Sequence, residues 1–125
     1  MVKMNVSALK SKIHRAVVTK VDLNYVGSIS IDENLMELSG LFEFEKVDVL
    51  NITNGNRIQT YVIKAERNSG TIGINGAAAH LINKNDLVII VSYCQINKDE
   101  VTLLRPKIIH VDRLNSPIFL DKQPA

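Results

Sequence analysis

Tryptophan is absent from this 125-residue chain, cysteine occurs once, proline three times, and aromatic residues make up only 5% of the total. The lone thiol, Cys94, excludes an internal disulfide and is too little for a cysteine-rich metal site, so a reducing, cytoplasmic setting is expected. With three Tyr and three Phe, a platform for stacking bases has few rings to use. Charge of one sign is also scarce. Fifteen basic side chains against 13 acidic ones leave +2, without the concentrated basic stripe of a nucleic-acid binder. No run approaches the ~18 apolar residues of a membrane span, and the opening MVKMNVSALKSKIHRA has no apolar signal core. Neither nucleic acid nor a membrane is an expected partner.

What is present is ordinary globular composition, 46% apolar and 22% charged, with length for a single domain over residues 1–125. Short β-branched runs punctuated by turn residues point to a mainly β fold. Ile13 to Leu23 reads as a strand and Ser28 to Ile31 as a shorter one. Asp32 is a candidate N-cap for a helix over ENLMELS, with Gly40 at the stop position. Val47 to Ile52 alternates into Asn54-Gly55, a strong hairpin signal, and Arg57 to Lys64 is the return strand. TIGIN reads as a strand, GAAAHL as a helical turn, and LVIIV as the start of a strand covered on both faces. NKDE is a turn before a strand over Val101 to Val111, and the tail from Asn115 is expected to be irregular. Many short strands with a few small helices suggest a closed barrel, and the second apolar face of LVIIV asks for a packed helix or another subunit.

Familiar chemical motifs are missing. His14, His80 and His110 have no metal-ligand spacing, so no metal is expected. There is no P-loop and no GxGxxG, and the chain is short for cradling a large organic cofactor such as pyridoxal phosphate. Three segments stand out. In Tyr25-Val26-Gly27-Ser28, a glycine before a serine leaves its carbonyl sterically open and tolerates strained backbone angles, so the Ser28 hydroxyl could attack Gly27. Thr53-Asn54-Gly55-Asn56-Arg57 runs on to Thr60-Tyr61. Asn75-Gly76-Ala77-Ala78-Ala79-His80 opens a helical turn whose free N–H groups could seat a carboxylate. Taken singly, a plain turn, a surface hairpin and a tight-packing device explain all three.

Together, in this order, KSKIHRAVVT, DLNYVGSISID, ITNGNRIQTY, INGAAAH and DLVIIVSY resemble the pyruvoyl-dependent aspartate 1-decarboxylase family, over about Met4 to Pro106. The resemblance implies a double-psi β-barrel, a homotetramer with sites between subunits, and a proenzyme that cuts itself between Gly27 and Ser28. The products would be residues 1–27 and 28–125, with a pyruvoyl group made from Ser28 as the only cofactor. It further implies that L-aspartate, held as a Schiff base, loses CO2 to give β-alanine for pantothenate synthesis. The physical need is clear, because no standard side chain offers an electrophilic ketone as an electron sink.

The resemblance also implies roles. Thr60 contacts substrate and assists processing, Tyr61 returns the proton after decarboxylation, and Arg57 and Lys12 meet substrate carboxylates. Gly76, Ala77 and Ala78 contact substrate through the backbone, with Asn75, His14 and Tyr25 as supporting pocket positions. Val26, Ile29 and Leu50 depart from the family's usual pattern and bear on cleavage rate and substrate fit. One stereochemical difficulty stands: a regular strand puts Arg57 and Tyr61 on one face and Thr60 on the other. Serving one site then requires a bulge, or sites on different sides of a subunit interface. The rival readings are a non-catalytic barrel module of the swapped-hairpin DNA-binding type and an unprocessed family member acting as a scaffold.

Overall fold

The computed structural model describes residues 2–120 and 124–125. Its strands are β1 (Asn5–Val17), β2 (Lys20–Asp22), β3 (Ser28–Asp32), β4 (Lys46–Asn51), β5 (Arg57–Ala65), β6 (Ile72–Asn75), β7 (Leu87–Asn97), β8 (Lys107–Val111) and β9 (Pro117–Ile118). One α-helix, α1 (Glu33–Ser39), and two 3-10 segments, Gly76–His80 and Lys98–Leu103, join them. The fold is mainly β with a few short helices. Its strand order is β2-β6-β3-β5-β4-β7-β1-β8-β9, in which β2/β6, β3/β5 and β1/β8 are parallel and the other pairs antiparallel. Strand β6 inserts between the consecutive strands β2 and β3, and β5 returns beside β3 after β4. Such interlocked crossings set the ends of distant segments side by side.

Period-two alternation builds the core. Ile13, Ile29, Ile31, Val47, Val49, Val62, Ile72, Ile74, Val88 and Ile90 all point inward and are at most 1% exposed. Each such side chain stabilises the fold by roughly 1.5–3 kcal/mol relative to exposure. The cap signals hold: Asp32 Oδ1 accepts from Asn34 N at 2.8 Å, and Gly40 ends α1 at φ +73°. Asp32 also accepts from Asn68 N and Gly70 N, both at 2.9 Å, so one buried carboxylate ties α1 to the turn before β6.

Two strand boundaries differ from the sequence reading. Strand β1 starts at Asn5, well before Ile13, because register shifts between Leu9 and Ser11 and between Ile13 and Ala16 break its alternation. Arg15, at φ +66°, sits in the second shift. The chain then changes partners at Val18-Thr19, where Val18 N bonds Asp86 O and Thr19 N bonds Ile72 O, which splits the expected Ile13–Leu23 strand. Near the end, Val101 to Leu103 are helical rather than extended: Asn97 Oδ1 accepts from Asp99 N at 2.9 Å and starts the 3-10 segment. Pro106 follows, and β8 begins at Lys107. In the tail, Pro117–Ile118 pair with β8, while 121–123 lie outside the described residues. Helix α1 packs against β8, β1, β3 and β5, and on β7 Tyr93 remains exposed.

Candidate active site

Two cross-strand rows carry the first cluster. Asp22 and Ser28 both pair with Asn75, and Lys20 and Ser30 both pair with Gly73. Since Ile29, Ile31, Ile72 and Ile74 take the core side, Ser28, Ser30 and Asn75 share the outer side of this sheet. Both serines and the asparagine are nonetheless buried. Asn75 Nδ2 donates to Ser28 Oγ at 2.9 Å and to Ser30 Oγ at 3.0 Å. Both amide hydrogens are thereby used, which fixes the amide and holds the Ser28 oxygen in one place.

The strand end and the turn before Ser28 touch directly. Gly76 has φ +76°, and a Cβ there would lie 2.8 Å from Gly27 Cα, 2.9 Å from Gly27 N and 3.1 Å from Tyr25 O. Only glycine permits this approach. Gly27 itself lies outside the left-handed region, and a Cβ built on it meets nothing within 4 Å. Glycine's freedom is thus not used for a left-handed turn at Gly27; what it supplies there is a carbonyl with no side chain beside it. A cleft of about 440 Å³, lined by Lys20, Asp22, Tyr25, Ser30, Ile63 and Asn75, opens beside the cluster.

The hairpin motif and the Gly76–His80 segment are coupled. Side-chain amides of Asn51, Asn54 and Asn56 all reach Leu81 O, at 3.4, 3.0 and 3.1 Å. The loop is five residues, 52–56, with Gly55 at φ +80° and Gly55 N bonded to Asn51 O at 2.8 Å. TNGN thus anchors the C-terminal end of GAAAH. No side chain caps the N-terminal end of that segment, which leaves its leading N–H groups for another acceptor.

Strand β5 answers the stereochemical difficulty. Its registers with β4 (Lys46↔Tyr61 to Leu50↔Arg57) and with β3 (Ile29↔Val62 to Asp32↔Ala65) are continuous, so no bulge intervenes. Thr60 lies on the inner side with Val62, whereas Arg57 and Tyr61 lie outside and are exposed. The β3/β5 register ends at Ile29↔Val62, so Tyr61 is the residue just before the paired stretch, as Ser28 is on β3. Tyr61 packs on the Phe44 ring, centroids 6.5 Å apart.

The cations occupy another region of the outer face. Lys12 pairs with Val91, Val91 with Asp48, and Asp48 with Gln59, one row across β1, β7, β4 and β5. Arg57 starts the next row through Leu50 and Ile89, and with Asp48, Leu50 and Gln59 it lines a hollow of about 300 Å³. His14 pairs with His110 across β1/β8, ring centroids 5.0 Å apart. Burial, then the charges of Lys12, His110 and Arg15, holds the His14 imidazole below the ordinary histidine pKa. Along the sheet, β1, which carries Lys12 and His14, stands four strands from β3.

Ser28, Gly27, Asn75, Gly76 and Tyr25 thus lie together, while Lys12 and His14 on β1 and Arg57 and Leu50 across β4/β5 lie elsewhere on the sheet. The aspartate decarboxylase family profile matches residues 4–118. This chain belongs to the aspartate decarboxylase family. It is 55% identical over 120 residues to "Aspartate 1-decarboxylase" of Caldicellulosiruptor saccharolyticus, covering 96% of this chain and 94% of the relative. It is 51% identical to the Clostridium botulinum (strain 657 / Type Ba4) protein of the same name, covering 90% and 89%. "Aspartate 1-decarboxylase 1" of Frankia casuarinae is 56% identical, covering 94% and 76%. Among solved structures, the computationally designed msDPBB_sym2 protein aligns with a TM-score of 0.42 at 19% identity, over 70% of this chain and 96% of that one.

Within this family member, His110 is the site-adjacent residue that the sequence reading left outside every motif. Its link to His14 spans 96 positions through a parallel β1/β8 pairing that no local pattern announces. Among the described residues no group of three His, Cys, Asp or Glu is placed to hold a metal ion.

Proposed function

We propose that the chain, as one domain over residues 1–125, is a self-processing L-aspartate 1-decarboxylase of the cytoplasm that releases β-alanine and CO2 for pantothenate synthesis. The observation that carries the reading is the buried Ser28 hydroxyl, held by Asn75 beside Gly27, whose Cα and N lie against Gly76. In the self-cleavage, Ser28 Oγ attacks the Gly27 carbonyl carbon and the Ser28 nitrogen leaves it, moving the acyl group from nitrogen to oxygen. Loss of the Ser28 α-proton then breaks the Cβ–Oγ bond, so Gly27 departs as a carboxylate. Water replaces the nitrogen of the resulting dehydroalanine as ammonia, leaving a pyruvoyl group at residue 28.

The site fits such a group, since the Ser28 position is water-shielded and its partner Asn75 lines a cleft large enough for a small amino acid. The pyruvoyl ketone supplies an electron sink for the carboxylate that leaves. The chain's residues do the rest. Leading N–H groups of Gly76–His80, including those of Ala77 and Ala78, donate to no capping side chain and suit a substrate carboxylate. Tyr61, at the level of Ser28, carries a phenolic proton suited to quenching the carbanion. Arg57 offers a bidentate fork and Lys12 a point charge, a pair that suits a dicarboxylic substrate.

Since Lys12 and His14 lie on β1, four strands along the sheet from β3, we assign them to the site of a neighbouring copy, in a homotetramer with sites between subunits. Exposed Tyr61, Phe44 and Tyr93 on the outer face support this arrangement. Replacing Ser28→Ala is expected to leave a single full-length chain with no decarboxylation. Decarboxylation retained by that variant overturns the assignment.

A further inference from the structure

Lys12, His14 and His110 leave one face of the parallel β1/β8 pair, because Lys12 pairs with Ile108 and His14 with His110. On that face two main-chain oxygens already sit on two of the three groups. Lys12 Nζ donates to Ala125 O at 2.6 Å, and His110 Nε2 lies 3.2 Å from Pro124 O. A carbonyl oxygen only accepts, so His110 Nε2 carries the hydrogen in this contact. The two donors therefore face outward together and are met by acceptor oxygens.

His14 has a different place. Its Nδ1 is buried with no partner among the described residues, and burial with the nearby Lys12, His110 and Arg15 charges favours its neutral form. A neutral ring tilted against His110, centroids 5.0 Å apart, orients that imidazole without offering the anion a competing partner.

We infer that His110 is a substrate-binding residue, forming with Lys12 a cradle for one carboxylate of the acidic substrate, which displaces the two main-chain oxygens. This inference rests on the L-aspartate reading and adds to it the group that makes the cation surface a two-point site. Lys12 alone is a freely rotating point charge. With a fixed N–H beside it, both oxygens of one carboxylate are met, which selects a carboxylate over a single-oxygen anion.

The test uses the full chain after maturation. His110→Phe keeps a ring against His14 but removes the donor, and His110→Gln keeps a donor. The KM for L-aspartate is expected to rise about tenfold in His110→Phe, the size of one charge-assisted hydrogen bond lost from a carboxylate. The kcat is expected to fall less than twofold, and His110→Gln should lie between the two proteins. Calorimetric affinity for succinate should drop with the KM, and sulfate should bind no more weakly than before. An unchanged KM and succinate affinity in His110→Phe overturns the inference, as does an equal loss for sulfate. Failure of the underlying reading looks different: the unaltered protein then leaves L-aspartate intact while succinate still binds.

Discussion

Gly76→Ala is the sharpest single perturbation of the cleavage site. The added Cβ would stand 2.8 Å from Gly27 Cα and 2.9 Å from Gly27 N, both backbone atoms that cannot swing aside. Ordinary carbon contacts begin at about 3.5 Å, so one backbone must retreat by roughly 0.7 Å. The left-handed φ of +76° costs an alanine a further ~1–2 kcal/mol. In a domain of this size, each kcal/mol lowers Tm by about 3–4 °C, so a loss of several degrees is expected. Displacing Gly27 moves its carbonyl relative to Ser28 Oγ, and a misplacement near 1 Å slows a positioned reaction by about 100-fold. The assay follows the full-length mass over time in purified protein, with thermal unfolding run in parallel. Gly27→Ala is the matched control for folding, since its Cβ meets open space and its backbone is not left-handed. Cleavage of Gly76→Ala at the unaltered rate, with Tm unchanged, refutes the reasoning.

Asn75→Ala strips the donors from two buried hydroxyls and is expected to cost about 1–3 kcal/mol in chemical denaturation, with slowed formation of the two fragments. Tyr61→Phe keeps the ring packed on Phe44, so stability should change by less than about 0.5 kcal/mol and cleavage should proceed, while decarboxylation falls steeply. For His14 the folded pKa is below its unfolded value, so the unfolded chain takes up the proton first. Its contribution to stability is full above about pH 6.5 and shrinks as pH falls through the folded pKa. Unfolding curves of His14→Gln should accordingly show a flatter decline between pH 7 and pH 5 than the unaltered protein, and an identical slope would contradict this.

Local chemistry was readable where its cause is local. Asp32 and Gly40 bracket α1 because a cap bond and a left-handed stop need only neighbouring residues. The opposition of Thr60 to Arg57 and Tyr61 followed from strand alternation, and the continuous β5 registers bear it out. Strand β1 was hidden because two register shifts disturb the very period by which strands are recognised. The convergence of Asn51, Asn54 and Asn56 on Leu81, and the pairing of His14 with His110, depend on crossings between distant segments. Residue types there gave no hint of partnership. The division of the site into a serine cluster and a cation surface became visible only once strand order was known.

In the proposed function, Ser28 becomes a ketone by breaking its own bond to Gly27. Intact-mass spectrometry of freshly purified protein, before and after treatment with a ketone-reactive hydrazine, tests it most directly. Two fragments, 1–27 and 28–125, with only the larger one gaining the hydrazone mass at its first residue, are the expected result. A preparation that consumes L-aspartate while every molecule keeps its full-length mass and ignores the hydrazine would contradict it.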